Sequence, residues 1–301
     1  MNLTSTEFWF IPTDILMIIC TVLIIILATL FLFIIVLHKT CHTISMMLVA
    51  NTCLTTLVLG CVSLSLSLFT LENDLKQVYS EDSLCVLRAY LNYAVSAEFM
   101  FSFSLQALYR YITVVYRTNL YWQTFKCQAL FICITWIFSL TYPVVFIFLH
   151  NITYNADNQI CQLPLGLSFS LFYGVFCIYL IPVSMTMFIY FKLILHIREL
   201  GHNTMIVHTL IRVQRELKMV QRIIMLLNII VTIGVPYGIF VFISFFTTPP
   251  KYHFRIAFIF TDASILIALI ALLQFTDLLK KSLVRRFRQQ PNVVAAAAGR
   301  T

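Results

Sequence analysis

Seven long stretches of apolar residues constrain the fold of this chain. They cover 15–37, 43–71, 89–108, 127–149, 162–191, 223–246 and 256–276. A helix needs about 20 mostly apolar residues to cross the hydrocarbon of a bilayer, where only its own hydrogen bonds satisfy the backbone. Charged residues make up 11% of the chain, against about 25% in a soluble domain. The pattern predicts an all-α membrane protein, a seven-transmembrane helix bundle.

The basic residues predict the orientation of this bundle. With the N-terminus outside the cell, every Lys and Arg faces the cytoplasm except Lys76, Arg88, Lys251 and Arg255. Cytoplasmic loops favour Lys and Arg, so we expect a multi-pass plasma-membrane protein with an extracellular N-terminus and a cytoplasmic C-terminus. The formal charge of +8 then suits anionic membrane lipids and an acidic cytoplasmic partner, and we expect no nucleic-acid binding.

The segments outside the spans are short. We expect an extracellular N-terminus at 1–14, the seven-helix membrane domain at 15–276, a short C-terminal amphipathic helix at 277–290 and a tail at 291–301. In that amphipathic segment the apolar residues share one helical face and the basic residues the other, which is typical of a helix at the membrane interface. An unstructured basic tail is the alternative.

Two kinds of residue mark the extracellular side. Asn2 and Asn151 each begin an Asn-x-Thr glycosylation pattern, although chance can produce so short a pattern. Cys85 and Cys161 lie at the extracellular ends of spans, where disulfides persist. A bridge between them would hold the loop between the fourth and fifth spans across the mouth of the bundle.

Arg110 marks the inner end of the third span. It follows Cys85 by 25 residues, or about 37 Å of helix. Glu216 precedes the sixth span and lies 20 residues before Pro236. A carboxylate and a guanidinium form directional pairs, so this pair would hold the third and sixth helices together, and breaking it would free the sixth. A solvated charge at Glu216 is the alternative.

The order and spacing of such residues resembles the rhodopsin-like family of G-protein-coupled receptors over nearly the whole chain. The matching motif residues are Cys85, Arg110, Tyr111, Trp136, Pro143, Cys161, Pro182, Tyr190, Glu216, Pro236 and Tyr237. The resemblance implies a receptor that binds an extracellular ligand and activates a heterotrimeric G protein. It implies coupling and switch roles for Arg110, Tyr109, Glu216, Tyr190 and Pro236.

Several positions depart from the family pattern. Tyr109 replaces the acid before the motif arginine, Asn51 replaces the usual aspartate of the second helix, and Gly234 stands where a tryptophan is common. The seventh helix lacks the Asn-Pro-x-x-Tyr motif. We therefore expect a divergent member with an altered activation relay.

A ligand cavity is expected near the outer end of the bundle. Asn92 and Ser96 share the face of the third helix that leads to Arg110, with Tyr93 beside them and Tyr237 next to Pro236. Ordinary polar packing between helices is the alternative. Asp262 would pair with a cationic group of the ligand, because an acid inside a span is costly and predicts a function.

Both intramembrane acids have other candidate partners. For Asp262 the alternative is an internal pair with Arg88 or Arg255. Glu98 lies about 120° away from the face of Asn92, toward the hydroxyl groups of the fourth helix at Thr135, Ser139 and Tyr142.

Other functional classes have less support. A transporter or channel without G-protein coupling is the alternative function, but such proteins usually show internal repeats or charges along a path. A retinal protein needs a lysine in the seventh helix, and 256–276 contains none. The spans hold no histidine and no paired carboxylates, so we expect no catalytic residues, no metal site and no cofactor.

Overall fold

The computed structural model describes residues 10–76, 81–116, 118–202, 207–248 and 250–275. The described chain is almost entirely helical, with one short hairpin. In chain order the elements are α1 (Phe10–Leu37), α2 (Ile44–Lys76), α3 (Cys85–Val115), α4 (Phe125–Thr141), α5 (Val144–Phe148), β1 (Thr153–Asn155), β2 (Ile160–Gln162), α6 (Phe169–Val175), a π-helical turn (Phe176–Leu180), α7 (Ile181–His202), α8 (Val207–Ser244) and α9 (His253–Phe275).

Five of the described helical segments are long and apolar enough to cross a membrane. They are Ile11–Leu37, Ile44–Lys76, Phe125–Phe148, Phe169–His196 and His253–Leu272. The chain is therefore a helical membrane protein. The predicted third and sixth spans, α3 and α8, are not in this group, and the apolar stretch found in α8 is the shorter Gly234–Ser244. The total of seven spans stays a prediction.

Two boundaries differ from the sequence prediction. Helix α1 already includes Phe10, so Asp14 lies inside the first helix and not in the segment before it. The fifth predicted span began at 162, but Gln162 ends strand β2 and the helix begins at Phe169, where Ser168 caps it by accepting a hydrogen bond from the Leu171 amide. The predicted amphipathic helix at 277–290 lies outside the described residues.

Proline shapes the fifth span. Pro182 has no amide hydrogen to bond the carbonyl of Ile178, so the helix widens into the π-helical turn just before it. The carbonyl of Pro182 in turn accepts a hydrogen bond of 2.9 Å from Ser104 of α3. The hydrogen bond from Ser104 to Pro182 holds the fifth span against the third.

Helix α3 is the centre of the bundle. It packs against α2, α4, α7, α8 and strand β2, and most of its side chains are buried. Helices α1 and α2 approach each other closely at Gly60, where a Cβ would lie 3.0 Å from the Cγ1 of Ile25. The outer loop forms an antiparallel hairpin in which Tyr154 faces Cys161.

The predicted disulfide is present. It joins Cys85, the first residue of α3, to Cys161 in the middle of β2. All three residues of β2 are buried, so the bridge holds a buried strand over the outer end of the bundle.

Replacing both bridge cysteines by alanine should destabilise the protein by about 2–4 kcal/mol, because the bridge restricts the unfolded chain. Thermal unfolding of purified protein measures the loss. The matched control is Cys61→Ala, since Cys61 is a free, exposed cysteine of α2. A loss no greater than that of the control would contradict a structural role for the bridge.

Candidate functional site

Arg110 lies at the predicted inner end of α3, where the chain holds it in specific contacts. Its guanidinium donates a hydrogen bond of 2.6 Å to the hydroxyl of Ser45, in the first turn of α2, and lies 5.7 Å from the centre of the Tyr109 ring. The side chain of Glu216 lies outside the described residues, so the predicted pair with Arg110 is untested. Tyr190 on α7 and Pro236 on α8 are both half-buried.

A central cluster joins α2, α3 and α4 through Glu98, Asn51, Thr135, Trp136 and Ser139. The Glu98 carboxylate accepts hydrogen bonds from Asn51 at 3.1 Å, Thr135 at 3.2 Å and Ser139 at 3.3 Å. The indole of Trp136 donates to the side-chain oxygen of Asn51 at 2.9 Å. Two of the three predicted hydroxyl partners of Glu98 are therefore correct. The third, Tyr142, donates instead to the carbonyl of Tyr93 at 2.8 Å.

Three further hydrogen bonds tie α3 to its neighbours. The side chains of Ser102 and Gln106 bond to the hydroxyl of Thr52 on α2, at 3.0 and 2.8 Å. On the opposite side, Ser104 bonds to Thr186 of α7 at 3.0 Å. Helix α3 thus uses its polar residues to bind α2, α4 and α7.

An outer cluster lies around Arg255, on the first turn of α9. Its guanidinium bonds to Asp74 of α2 through two nitrogens and to Asp14 of α1 at 3.4 Å. Arg255 and Asp14 are almost completely buried. Gln159 of the outer loop also donates to Asp74, and Asn158 accepts hydrogen bonds from the backbone amides of Phe254 and Arg255. Five side chains thereby join α1, α2, α9 and the outer loop.

Asp262 has neither of its two predicted internal partners. Arg255 binds Asp74 and Asp14 instead. Arg88 binds Asp82, and its guanidinium lies 4.6 Å from the centre of the Phe69 ring. Desolvation acts to raise the pKa of Asp82, but hydrogen bonds from Arg88, Ser83 and the Leu84 amide, together with the charge of Arg88, lower this pKa on balance.

Asp262 is 2% exposed and lines a small outer cavity. The volume of this outer cavity is about 20 Å³, which is room for about one water molecule. The residues around it are Met17, Ser63, Leu66, Ser67, Thr70, Asn158, Ile160, Arg255, Phe258 and Asp262. It therefore lies between α1, α2, α9 and the outer loop.

The other predicted ligand residues do not line this cavity. Tyr93 is buried, and its hydroxyl donates to Gln162 and accepts from the Leu163 amide at 3.1 Å, which fastens the outer loop. Asn92 and Ser96 are half-buried on α3. Tyr237 packs beside the apolar cluster of Val62, Leu66, Ile160 and Phe254. Ile160 belongs both to the cluster that Tyr237 packs against and to the lining of the cavity that contains Asp262.

Sequence reasoning missed the outer cluster. Asp14 and Asp74 stand out only as extracellular acids, and Arg255 only as a candidate partner of Asp262. Asp14, Asp74 and Arg255 all lie close to the ends of apolar stretches. Charged groups at such positions need partners when another segment buries the helix end, and this position is the signal that could have identified the cluster. Of the glycosylation sites, Asn151 is half-buried and its amide donates to Ser170, and Asn2 lies outside the described residues.

Comparison with known families decides the identity. The model of the 7 transmembrane receptor (rhodopsin family) matches residues 27–271. The chain belongs to this receptor family. A search of the curated proteins finds no match for the chain. A member of this family is a multi-pass membrane protein. Members of the rhodopsin family are receptors and not enzymes.

The central cluster explains one departure of this receptor from its family. The usual second-helix acid is replaced by Asn51, and Glu98 of α3 brings a carboxyl group to the amide of that residue. A carboxyl group is therefore present at this contact between α2 and α3, although it belongs to α3.

Glu98→Ala should lower the free energy of unfolding of this receptor by more than about 2 kcal/mol, because the buried donors of Asn51 and Ser139 lose their acceptor and each unpaired group costs about 1–3 kcal/mol. Glu98→Gln should cost less, since an amide oxygen still accepts from Asn51 and Thr135. Thermal unfolding in detergent measures both. Glu72→Gln, at an exposed pair with Lys76, is the control. Equal losses at Glu98 and Glu72 would refute the network.

Arg255→Met should cost about 3–5 kcal/mol, because removing one partner leaves buried carboxylates without compensation. Adding Asp14→Asn and Asp74→Asn should recover part of that loss. Unfolding measurements on the single and triple variants test this, with Lys251→Met as the exposed control. If the triple variant regains none of the lost free energy of unfolding, Arg255 does not stabilise the protein through its ion pairs.

Proposed function

We propose that this protein is a cell-surface receptor of seven membrane-spanning helices, which binds an extracellular ligand and activates a cytoplasmic heterotrimeric G protein. In this proposal the N-terminus is outside the cell, and α3 and α8 are the third and sixth spans. Family membership supports it most strongly, because the match of residues 27–271 includes both Cys85 and Arg110.

The position of Arg110 supports a role in coupling. The bridge at Cys85 fixes one end of α3, and Arg110 lies 25 residues further along the same continuous helix. At the opposite end its guanidinium is half-buried and bound to Ser45. This places a cation 25 residues from the anchored end of the helix, at the end that a cytoplasmic partner would contact.

The length of α8 supports movement of the sixth span. Its 38 residues extend about 57 Å, far more than the hydrocarbon thickness of about 30 Å. Pro236 lies inside this helix, and a proline removes one helical hydrogen bond and allows a bend. We propose that the inner half of α8 swings outward about this point when Glu216 releases Arg110, with Tyr109 and Tyr190 beside the opening.

The ligand is proposed to bind at the outer end, between α3, α8 and α9. Asn92, Tyr93 and Ser96 lie on α3 below the outer loop, Tyr237 on α8 and Asp262 on α9. Because Tyr93 fastens the buried strand β2, a ligand that displaces this strand would act on α3 directly. Such a ligand shifts the receptor only by its difference in affinity for the two states.

The remaining parts of the proposal concern the two membrane surfaces. Glycans at Asn2 and Asn151 would mark the extracellular face. The segment 277–290 would lie on the cytoplasmic leaflet as an amphipathic helix bound to anionic lipids.

Variants of Arg110 and Glu216 test coupling. Glu216→Ala should raise basal activation, because it releases Arg110 from the proposed inner pair. Arg110→Ala should abolish G-protein activation, because it removes the residue to which the proposal gives the coupling role. Nucleotide exchange on a panel of G-protein subtypes, in membranes with matched receptor amounts, measures both. Lys126→Ala is the control, since Lys126 is an exposed basic residue at the start of α4.

The control should behave as wild type in this assay. If Arg110→Ala abolishes basal nucleotide exchange while Glu216→Ala leaves it unchanged, the proposed pair between Arg110 and Glu216 is refuted. The proposed role of Arg110 in G-protein coupling is then retained. If the control loses as much activity as Arg110→Ala, general loss of positive charge explains the effect, and the specific role of Arg110 is refuted.

A further inference from the structure

A lateral groove lies at the surface of the protein, between the outer half of α2 and the start of α3. Its lining follows one face of α2 from Cys61 to Asn73 and includes Arg88 of α3. The volume of this lateral groove is about 670 Å³, and small-molecule sites commonly have about 300–1,000 Å³. Unlike the outer cavity beside Asp262, the lateral groove is therefore large enough for an organic ligand.

The inner part of the lateral groove is apolar. Leu64, Leu68 and Phe69 line it together with Cys61, and Leu68 is 49% exposed. Cys61, Leu64, Leu68 and Glu72 follow one another at spacings of three and four residues, so they share one face of α2. From Cys61 to Glu72 this face extends about 16 Å at 1.5 Å per residue, roughly the depth of one leaflet in hydrocarbon about 30 Å thick. In a bilayer the acyl chain of a lipid would lie along this face.

The outer end of the lateral groove is charged. Three carboxyl groups line it, those of Glu72, Glu81 and Asp82, and the guanidinium of Arg88 lies among them. Lys76 pairs with Glu72, and Arg88 pairs with Asp82. Glu81 is exposed and forms no ion pair with a described residue. The groove therefore offers one carboxylate to a cationic group from outside the chain.

Two side chains at the same end have nitrogen donors without an acceptor in the described chain. Asn73 is 7% exposed, and its side-chain amide nitrogen is buried and unbonded. Arg88 binds Asp82 through Nη2 and lies over the Phe69 ring, but its Nε and Nη1 are buried and unbonded as well. Buried donors in proteins are usually paired, so these three nitrogens indicate an acceptor that comes from a ligand.

A phospholipid with a zwitterionic headgroup matches all three parts of the groove. Its phosphate supplies charged acceptor oxygens for the donors of Asn73 and Arg88, its amine supplies the cation for Glu81, and an acyl chain covers the apolar face. An anionic lipid has no amine and would be repelled by the carboxylates. A soluble amine would leave the buried donors unpaired. Charge complementarity therefore favours the zwitterionic class.

We propose that the lateral groove binds one phospholipid of the phosphatidylcholine or phosphatidylethanolamine class, with its phosphate at Arg88 and Asn73 and its amine at Glu81. The bound lipid joins α2 to the first turn of α3, directly after Cys85 of the disulfide. The inference goes beyond the proposed function and uses neither ligand binding nor G-protein coupling. The proposed orientation decides only that the extracellular leaflet supplies the lipid.

Native mass spectrometry of the purified, delipidated full-length receptor tests the site. Phosphatidylcholine and phosphatidylglycerol with the same acyl chains are added at equal concentrations, and the bound fractions give the two Kd values. One phosphatidylcholine should bind about tenfold more tightly than phosphatidylglycerol, because only the former carries an amine for Glu81. Free phosphocholine, which lacks acyl chains, should bind far more weakly than the lipid, which distinguishes a lipid site from a site for a soluble headgroup.

Leu68→Trp fills the groove and should weaken phosphatidylcholine binding about tenfold. Leu54→Trp is the matched control, because it adds the same ring at another exposed leucine of α2, outside the groove, and it should bind as the wild type does. Asn73→Leu removes a buried donor and should weaken the binding of both lipids. Glu81→Gln should bring the Kd values of the two lipids together, because it removes the carboxylate for the amine.

Equal Kd values of the wild type for the two lipids would overturn the proposed headgroup contacts. Equal losses in Leu68→Trp and Leu54→Trp would show general contact with lipid and overturn the groove. Should Leu68→Trp fail to fold, Glu81→Gln decides, since this exposed substitution must remove the preference for phosphatidylcholine. A receptor that shows the preference but activates no G protein would refute coupling alone, and one that activates G protein without the preference would refute the lipid site alone.

Discussion

The structure depends on one constraint, which is that polar groups inside a bilayer must find their partners within the protein. Helix α3 carries several buried polar side chains, which would be costly in a bilayer without hydrogen-bond partners. It satisfies them through Asn51 and Thr52 on α2, Ser139 on α4 and Thr186 on α7. Because these partners come from three other helices, the polar residues of α3 determine which helices surround it.

The polar contacts of the bundle lie at three depths. At the outer end, the disulfide and the buried Arg255 cluster fix the loop and the helices. In the middle, neutral donors from two helices satisfy Glu98. At the inner end, Arg110 is half-buried and donates a hydrogen bond to Ser45 of α2. Polar contacts thus join α3 to neighbouring helices along its whole length.

The sequence predicted what depends on local spacing. Each predicted apolar stretch overlaps a helix, although several boundaries differ, and the bridge between Cys85 and Cys161 is present. Two partners of Glu98 were correct, because helix geometry fixes which residues share a face. Pairings between distant segments were harder to predict. Arg255 was weighed against Asp262, seven residues away, whereas it binds Asp74, 181 residues away, and Asp14. That choice depends on how α1, α2 and the outer loop pack around α9, which no local pattern contains.

The most direct test of this account is the distance between the inner ends of α3 and α8. Spin labels at Tyr116 and Gln221, both exposed, can be attached through noncanonical amino acids so that the native cysteines stay in place. Pulsed electron paramagnetic resonance then compares the receptor alone with its nucleotide-free G-protein complex. The account predicts an increase of roughly one helix diameter, about 10 Å. An unchanged distance in a complex that forms would contradict the outward movement of α8.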